Sequence, residues 1–227
     1  MSRRESPYYL EVAGATHLGG RLANEDFHGY DRALGILAVA DGVSSRPAPR
    51  IAAETAITAL FDYLTDSNVT SPVEARERVE RALAHVHRHI RDQAAADEQL
   101  RGMASTLAFV VERGKTLLVG QVGDGRVIRF RDGQLEPLTI DQQPETSALG
   151  LHESIITNVC VESLRPNDGV LLTTRGLTAA LDVDAIVAAL QLLEPRAVVN
   201  ELVRRAIARG DSDNVTCVYG RWRPILL

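Results

Sequence analysis

Apolar and polar positions follow two periods along this chain. "YYLEVAGATHLGG" alternates and then breaks at paired glycines, which predicts a strand running into a loop. "ALGILAVADG" is a near-continuous apolar run that stops at Asp41-Gly42, the pattern of a strand buried on both faces. Pro47 and Pro49 precede "RIAAETAITALFDYL", where Ile51, Ala52, Thr55, Ala56, Ala59, Leu60 and Tyr63 recur at helical spacing. A second helix begins at Ser71-Pro72, a capping residue followed by proline at the first helical position. It continues through "VEARERVERALAHVHRHIRDQAAAD" with Val79, Leu83, Val86 and Ile90 as its apolar stripe.

The period then returns to two. "STLAFVVERGKTLLVGQVGDGRVIRFRDGQLEPL" reads as three or four antiparallel strands, with turn signals at Arg113-Gly114-Lys115 and Arg131-Asp132-Gly133. "SIITNVCVESL" and "DGVLLTT" are two more strands, separated by Pro166-Asn167. "DVDAIVAALQLL" and "PRAVVNELVRRAIARG" are helices, the second closed by Gly210, and "DNVTCVYGRW" is a last strand. The order is strands, two helices, strands, two helices, strand. It does not alternate strand with helix, which argues against a doubly wound parallel sheet. The predicted fold class is α+β: a four-layer αββα sandwich of two antiparallel sheets flanked by helix pairs. With no internal repeat and no low-complexity linker, residues 1–227 read as a single domain.

Composition narrows the functional classes. The chain is 45% apolar and 24% charged, which is ordinary for a globular core. A net charge of -5 without a basic block argues against nucleic acid as a partner. Aromatic residues, at 4%, offer no stacking platform for single strands. Cys160 and Cys217 lie in apolar, strand-like segments and are expected to be buried, reduced thiols. No apolar run reaches the length of a membrane span, and "MSRRESPYYL" lacks a signal-peptide core, so the expectation is a cytoplasmic protein with no membrane partner. His85 and His89 share a helix face at a spacing that can bind metal. With no acidic partner in the motif and charged neighbours, they and His87 are assigned to a solvated face. "EARERVER" is read as helix surface with i, i+4 pairs.

Acidic residues gather where strands end or glycines turn the chain. "RLANED" offers Arg21, Glu25 and Asp26; "VADG" offers Asp41 beside Gly42; "VGDGR" offers Asp124 between glycines; "GDSDN" offers Asp211, Asp213 and Asn214. Turns expose carboxylates and let backbone approach a ligand closely. Aspartate is common in turns for local reasons, so any one of these carries little. Their joint order carries more.

That order resembles the metal-dependent protein phosphatase family, type 2C, in a short bacterial-like form. The blocks are "GGRLANED", "LAVADG", "STLAFVV", "VGDGRVIRF", "ALG", "LLTTRGLT" and "DNVTCV". The resemblance implies the αββα sandwich and a set of roles. Asp41 would bridge two Mn²⁺ or Mg²⁺ ions, with the Gly42 carbonyl on one of them and Asp213 on the other. Glu25 would hold metal-bound water, Asp26 would support the site, Arg21 would grip the substrate phosphate, and Asp124 would belong to a third, weaker metal site. These residue types suit the chemistry: hard divalent ions prefer oxygen ligands, two metals can activate a shared water, and the arginine fork matches a phosphate. No enzyme nucleophile is evident.

The sequence departs from the family in "LLTTRGLT", read as a strand ending in an Arg-Gly turn. The family places a metal-ligand Asp where Arg175 stands. Arginine has no acceptor and stays protonated. One unit charge at roughly 4 Å is worth about 4 kcal/mol at an effective dielectric near 20. The metal site shared by Asp41, Asp213 and this position is therefore expected to be weak or empty. Either the guanidinium lies among Asp41, Asp213 and Asp124, or Arg175 points outward and one metal at Asp41 supports slow turnover. Weaker departures are Val43, Ser147 in place of an arginine, and a reduced flap, with only Pro144-Glu145-Thr146 between "LTIDQQ" and "SALG". Two functions follow. One is hydrolysis of phosphoserine and phosphothreonine on proteins, impaired by Arg175. The other is that of a pseudophosphatase binding a phosphoprotein or regulatory partner. Either implies a serine/threonine kinase somewhere.

Overall fold

The computed structural model describes residues 6–65, 72–140, 142–143, 147–192, 194–210 and 212–225. Ser71, the predicted cap, and Pro144, Glu145, Thr146 and Asp211 lie outside them.

Two five-stranded antiparallel sheets stack face to face. The first has the order β1 (Tyr8–His17), β10 (Val215–Pro224), β9 (Gly169–Thr173), β6 (Arg126–Arg131), β7 (Gln134–Pro137). The second has the order β2 (Asp26–Asp31), β3 (Ile36–Asp41), β4 (Leu107–Arg113), β5 (Thr116–Val122), β8 (Asn158–Ser163). Helices α1 (Pro49–Thr65) and α2 (Pro72–Ala96) cover the second sheet. Helices α3 (Arg175–Ala180), α4 (Val183–Leu190) and α5 (Pro195–Ala208) cover the first. The predicted α+β sandwich is the observed one.

Strand β3 shows how the pattern makes the layers. It lies between β2 and β4, so both its faces need cover. Ile36, Ala38 and Ala40 face α1 and α2, whereas Leu37 and Val39 face the other sheet among Val110, Val127, Leu172, Val218 and Trp222. Small residues let the helices approach: Ala52, Ala53, Ala56 and Ala59 of α1 are all buried.

Several expectations need correction. Strand β2 is absent from the sequence reading because "DFHGYD" is too polar to register as a strand. Ile51, assigned to the apolar face of α1, is exposed. Arg175 opens a short helix instead of ending a turn. The three histidines are not one solvated face. His87 is buried and its Nδ1 accepts the Gly150 N–H at 3.1 Å, while half-buried His85 stacks between Tyr63 and exposed His89. Both cysteines are free, Cys217 fully buried and Cys160 only partly. Among the described residues no helix is long and apolar enough to cross a membrane.

Candidate active site

The acidic residues converge at one end of the sandwich, and strand parity explains why. Asp41 follows Leu37 and Val39 on the inter-sheet face of β3. Thr174 follows Val170 and Leu172 on that of β9, and Thr216 precedes Val218 on that of β10. Asp26 lies directly across from Asp41 in the β2–β3 register. Cross-strand partners share a face with Cβ atoms about 5 Å apart, so two carboxylates are pressed together where the core meets solvent.

Asp26 is fully buried. Its Oδ2 accepts the Thr174 hydroxyl at 2.8 Å, and its Oδ1 has no hydrogen-bond partner among the described residues. Burial pushes its carboxyl upward, the charge of Asp213 adds to this, and the hydroxyls of Thr216 and Thr174 oppose it. Asp41 rises well above the carboxylate range, first through burial and then through Asp26, Asp124 and Asp213, with Arg175 offsetting part. Two crowded acids of this kind call for a shared proton or a bound cation.

The backbone around Asp41 is fixed from three sides. Its N–H donates to Thr106 Oγ1 at 3.1 Å. Its carbonyl accepts the Thr106 N–H at 2.8 Å and the Ser105 hydroxyl at 3.1 Å. The Gly42 N–H donates to the Glu25 carbonyl at 3.1 Å. Gly42 is packed so tightly on Pro49, at the start of α1, that a Cβ would collide with the proline carbonyl. Glu25 accepts a short hydrogen bond from the Ser44 hydroxyl, and Arg50 donates one to the Asp26 carbonyl.

Residues 18–25, between β1 and β2, carry Arg21 and Glu25. Asn214 anchors them: its Nδ2 donates to the carbonyls of Leu18 at 2.8 Å and Ala23 at 3.0 Å, and its Oδ1 accepts the Glu25 N–H at 2.8 Å. Arg21 reaches Asp213 Oδ1 with Nε at 3.2 Å and Nη2 at 2.9 Å. Asp124 sits in the β5–β6 turn, which Gln121 clamps by donating to the carbonyls of Gly123, Gly125 and Ile140. Gln142 accepts the Gly123 N–H at 2.9 Å and the Ser147 hydroxyl at 2.8 Å.

Arg175 lies across this cluster. Its Nη2 is 2.5 Å from Asp213 Oδ2 and its Nε is 3.5 Å from Asp124 Oδ2. The guanidinium thus holds two of the acidic residues. Asp41, the Gly42 backbone and Glu25 remain at the end of β3 and in the loop before β2. Among the described residues no three His, Cys, Asp or Glu side chains are grouped so as to hold a metal ion. The donor set suits one hard cation beside Asp41, where crowded carboxylates need positive charge. It does not suit a second between Asp213 and Asp124, where an arginine already stands.

The structure brings together Arg21, Asp124, Asp213 and Arg175 through ion pairs, and Asp26 and Asp41 through the strand register. Sequence reasoning missed Thr174, Ser44, Thr106 and Gln121. Both threonines stood inside quoted blocks, and only three-dimensional pairing reveals their partners.

A protein-family profile described as "Protein phosphatase 2C" matches residues 13–208. The chain belongs to the protein phosphatase 2C family. It is 28% identical to the serine/threonine protein phosphatase PstP of Mycobacterium tuberculosis over 96% of this chain and 47% of that protein. It is 26% identical to the protein phosphatase PhpP of Streptococcus pneumoniae over 91% of this chain and 95% of PhpP. It spans about half the length of the first of these relatives. The crystal structure of the PstP catalytic domain in complex with two manganese ions superposes with a TM-score of 0.84 at 26% identity, covering 95% of this chain and 99% of that one.

Proposed function

We propose that this chain is a metal-dependent phosphatase acting on phosphoserine and phosphothreonine of protein substrates. The observation that carries the reading is the convergence of Arg21, Glu25, Asp26, Asp41, Gly42, Asp124 and Asp213 at one end of the sandwich, in a chain of the type 2C family. Asp41, the Gly42 carbonyl and Glu25 would hold one Mn²⁺ or Mg²⁺. When bound, that ion would supply an activated water and neutralise phosphoryl charge. Asp26 orients Asp41 from the neighbouring strand and is itself oriented by Thr174. Arg21 binds the phosphate and is aimed by Asp213. The position that a second ion would share with Asp213 is taken by Arg175, so turnover is slower than a full ligand set would give.

One observation favours a second reading. The Arg175 guanidinium on Asp213 and Asp124 supplies positive charge without a metal, and a pseudophosphatase that binds a phosphoprotein or regulatory partner would keep it.

Hydrolysis of an aryl phosphate with Mn²⁺ separates the two. The phosphatase reading expects slow, metal-dependent turnover in the natural protein, at least tenfold more in Arg175→Asp, and none in Asp41→Asn. Turnover only in Arg175→Asp would establish the pseudophosphatase; turnover in neither would defeat the phosphatase reading.

A further inference from the structure

Arg21 and Arg175 reach one carboxylate from two distant parts of the chain. Asp213 gives Oδ1 to Arg21 and Oδ2 to Arg175. The two guanidinium groups are therefore held one carboxylate apart. Each offers five N–H donors in a planar fork, and these contacts use only part of it. Arg21 engages through Nε and Nη2, and Arg175 through Nη2 and Nε. Neither Nη1 bonds to any described residue. Both side chains are about half open to solvent, at 42% and 53%, whereas Asp213 is only 13% exposed.

The backbone on either side of Arg175 is pinned. The Thr174 hydroxyl is committed to buried Asp26, and Gly176 packs on the Asn214 carbonyl so closely that no Cβ would fit. Arg21 follows Gly19 and Gly20, which lie against the backbone of Asp213 and Ser212. Two planar forks with free donor edges, fixed side by side on rigid supports, are arranged for an anion with several oxygens.

We infer that Arg175 is a second phosphate ligand: the phosphoryl oxygens of a phosphate monoester are held between the free edges of Arg21 and Arg175. This rests on the phosphate-ester reading above and assigns Arg175 a positive task in place of a missing ligand. Arg175 touches the substrate in this arrangement, and Asp213 positions both arginines without touching it.

The test is calorimetric titration of inorganic phosphate into the Mg²⁺-equilibrated protein, with thermal melting of each variant as a folding check. Arg175→Met is expected to weaken phosphate binding about ten- to hundredfold, the range for losing a hydrogen bond to a charged group. Arg175→Lys, which keeps the charge beside Asp213 and loses the fork, is expected to fall at least fivefold short of the natural protein. Should the methionine variant unfold, Arg175→Gln replaces it with the same expectation. Phosphate affinity within twofold of the natural protein in Met or Gln, full affinity in Lys, or no phosphate binding by the natural protein overturns the inference. Failure of the phosphatase reading looks different: phosphate binds through Arg175, yet no aryl phosphate is hydrolysed.

Discussion

Asp26 and Asp41 concentrate the cost of this site in two residues. Like charges directly across a strand pair are destabilising, and here one of them is fully buried. Thr174 offsets part of that cost through its 2.8 Å bond to Asp26. Thr174→Val keeps the shape and removes the bond, leaving a buried carboxylate short of a partner. It is expected to destabilise the protein by about 1–3 kcal/mol, read as a lower urea midpoint at unchanged slope. At this scale the sequence revealed the anomalous residue and concealed its supports. Arg175 stands out because it breaks a block that otherwise reads through. Thr174 did not, and Asn214 was visible only as a member of the "GDSDN" turn, because their partners lie 148 and 189 positions away and no local pattern encodes such a distance.

Elements were legible where their period was strong. The buried run of β3 and the stripe of α2 were visible in the apolar pattern, and the end of α5 in the glycine, Gly210, that follows it. Strand β2 was not, since its conformation comes from pairing with β3 over all six residues and not from its own composition. Helix α3 was hidden for a related reason: six residues carry too little periodicity, and Gly176 suggests a turn until its contact with Asn214 is known. The joint between β3 and α1 is as tight as that contact. Gly42→Ala would push a methyl into the Pro49 carbonyl and move the start of α1. The expected cost is about 1–3 kcal/mol, measured by thermal unfolding. Weaker Mn²⁺ binding in the same variant would follow, because Asp41 shares that joint.

For the whole molecule, the apolar pattern predicted two stacked sheets and could not assign strands to them. The continuous run from β4 to β7 reads as one meander, yet β4 and β5 belong to one sheet and β6 and β7 to the other. The switch falls at Gly123-Asp124-Gly125, where Gln121 holds the turn. Stability should also follow pH through buried His87. Burial lowers its pKa from 6.5 and nearby Arg91 lowers it further. The unfolded chain then binds the proton more readily, so stability is complete above pH 6.5 and declines as pH falls. The raised carboxyls of Asp26 and Asp41 act in the opposite sense, and comparing variants removes their contribution. The stability difference between the natural protein and His87→Leu should shrink by about 1 kcal/mol from pH 7.5 to 5.5. A difference that stays constant would show that His87 titrates normally in the fold.

Strand β10 lies between β1 and β9, pairing with all ten residues of β1. Among the described residues it is also the last strand in chain order. On the ribosome, β1 cannot gain this neighbour until residues 215–224 have emerged. Arg21 waits with it, because Asp213 and Asn214 arrive just ahead of that strand. The order of synthesis thus keeps the arginine pair unassembled in every fragment that stops short of Asp213, and the site comes into being in the same step that closes the sheet.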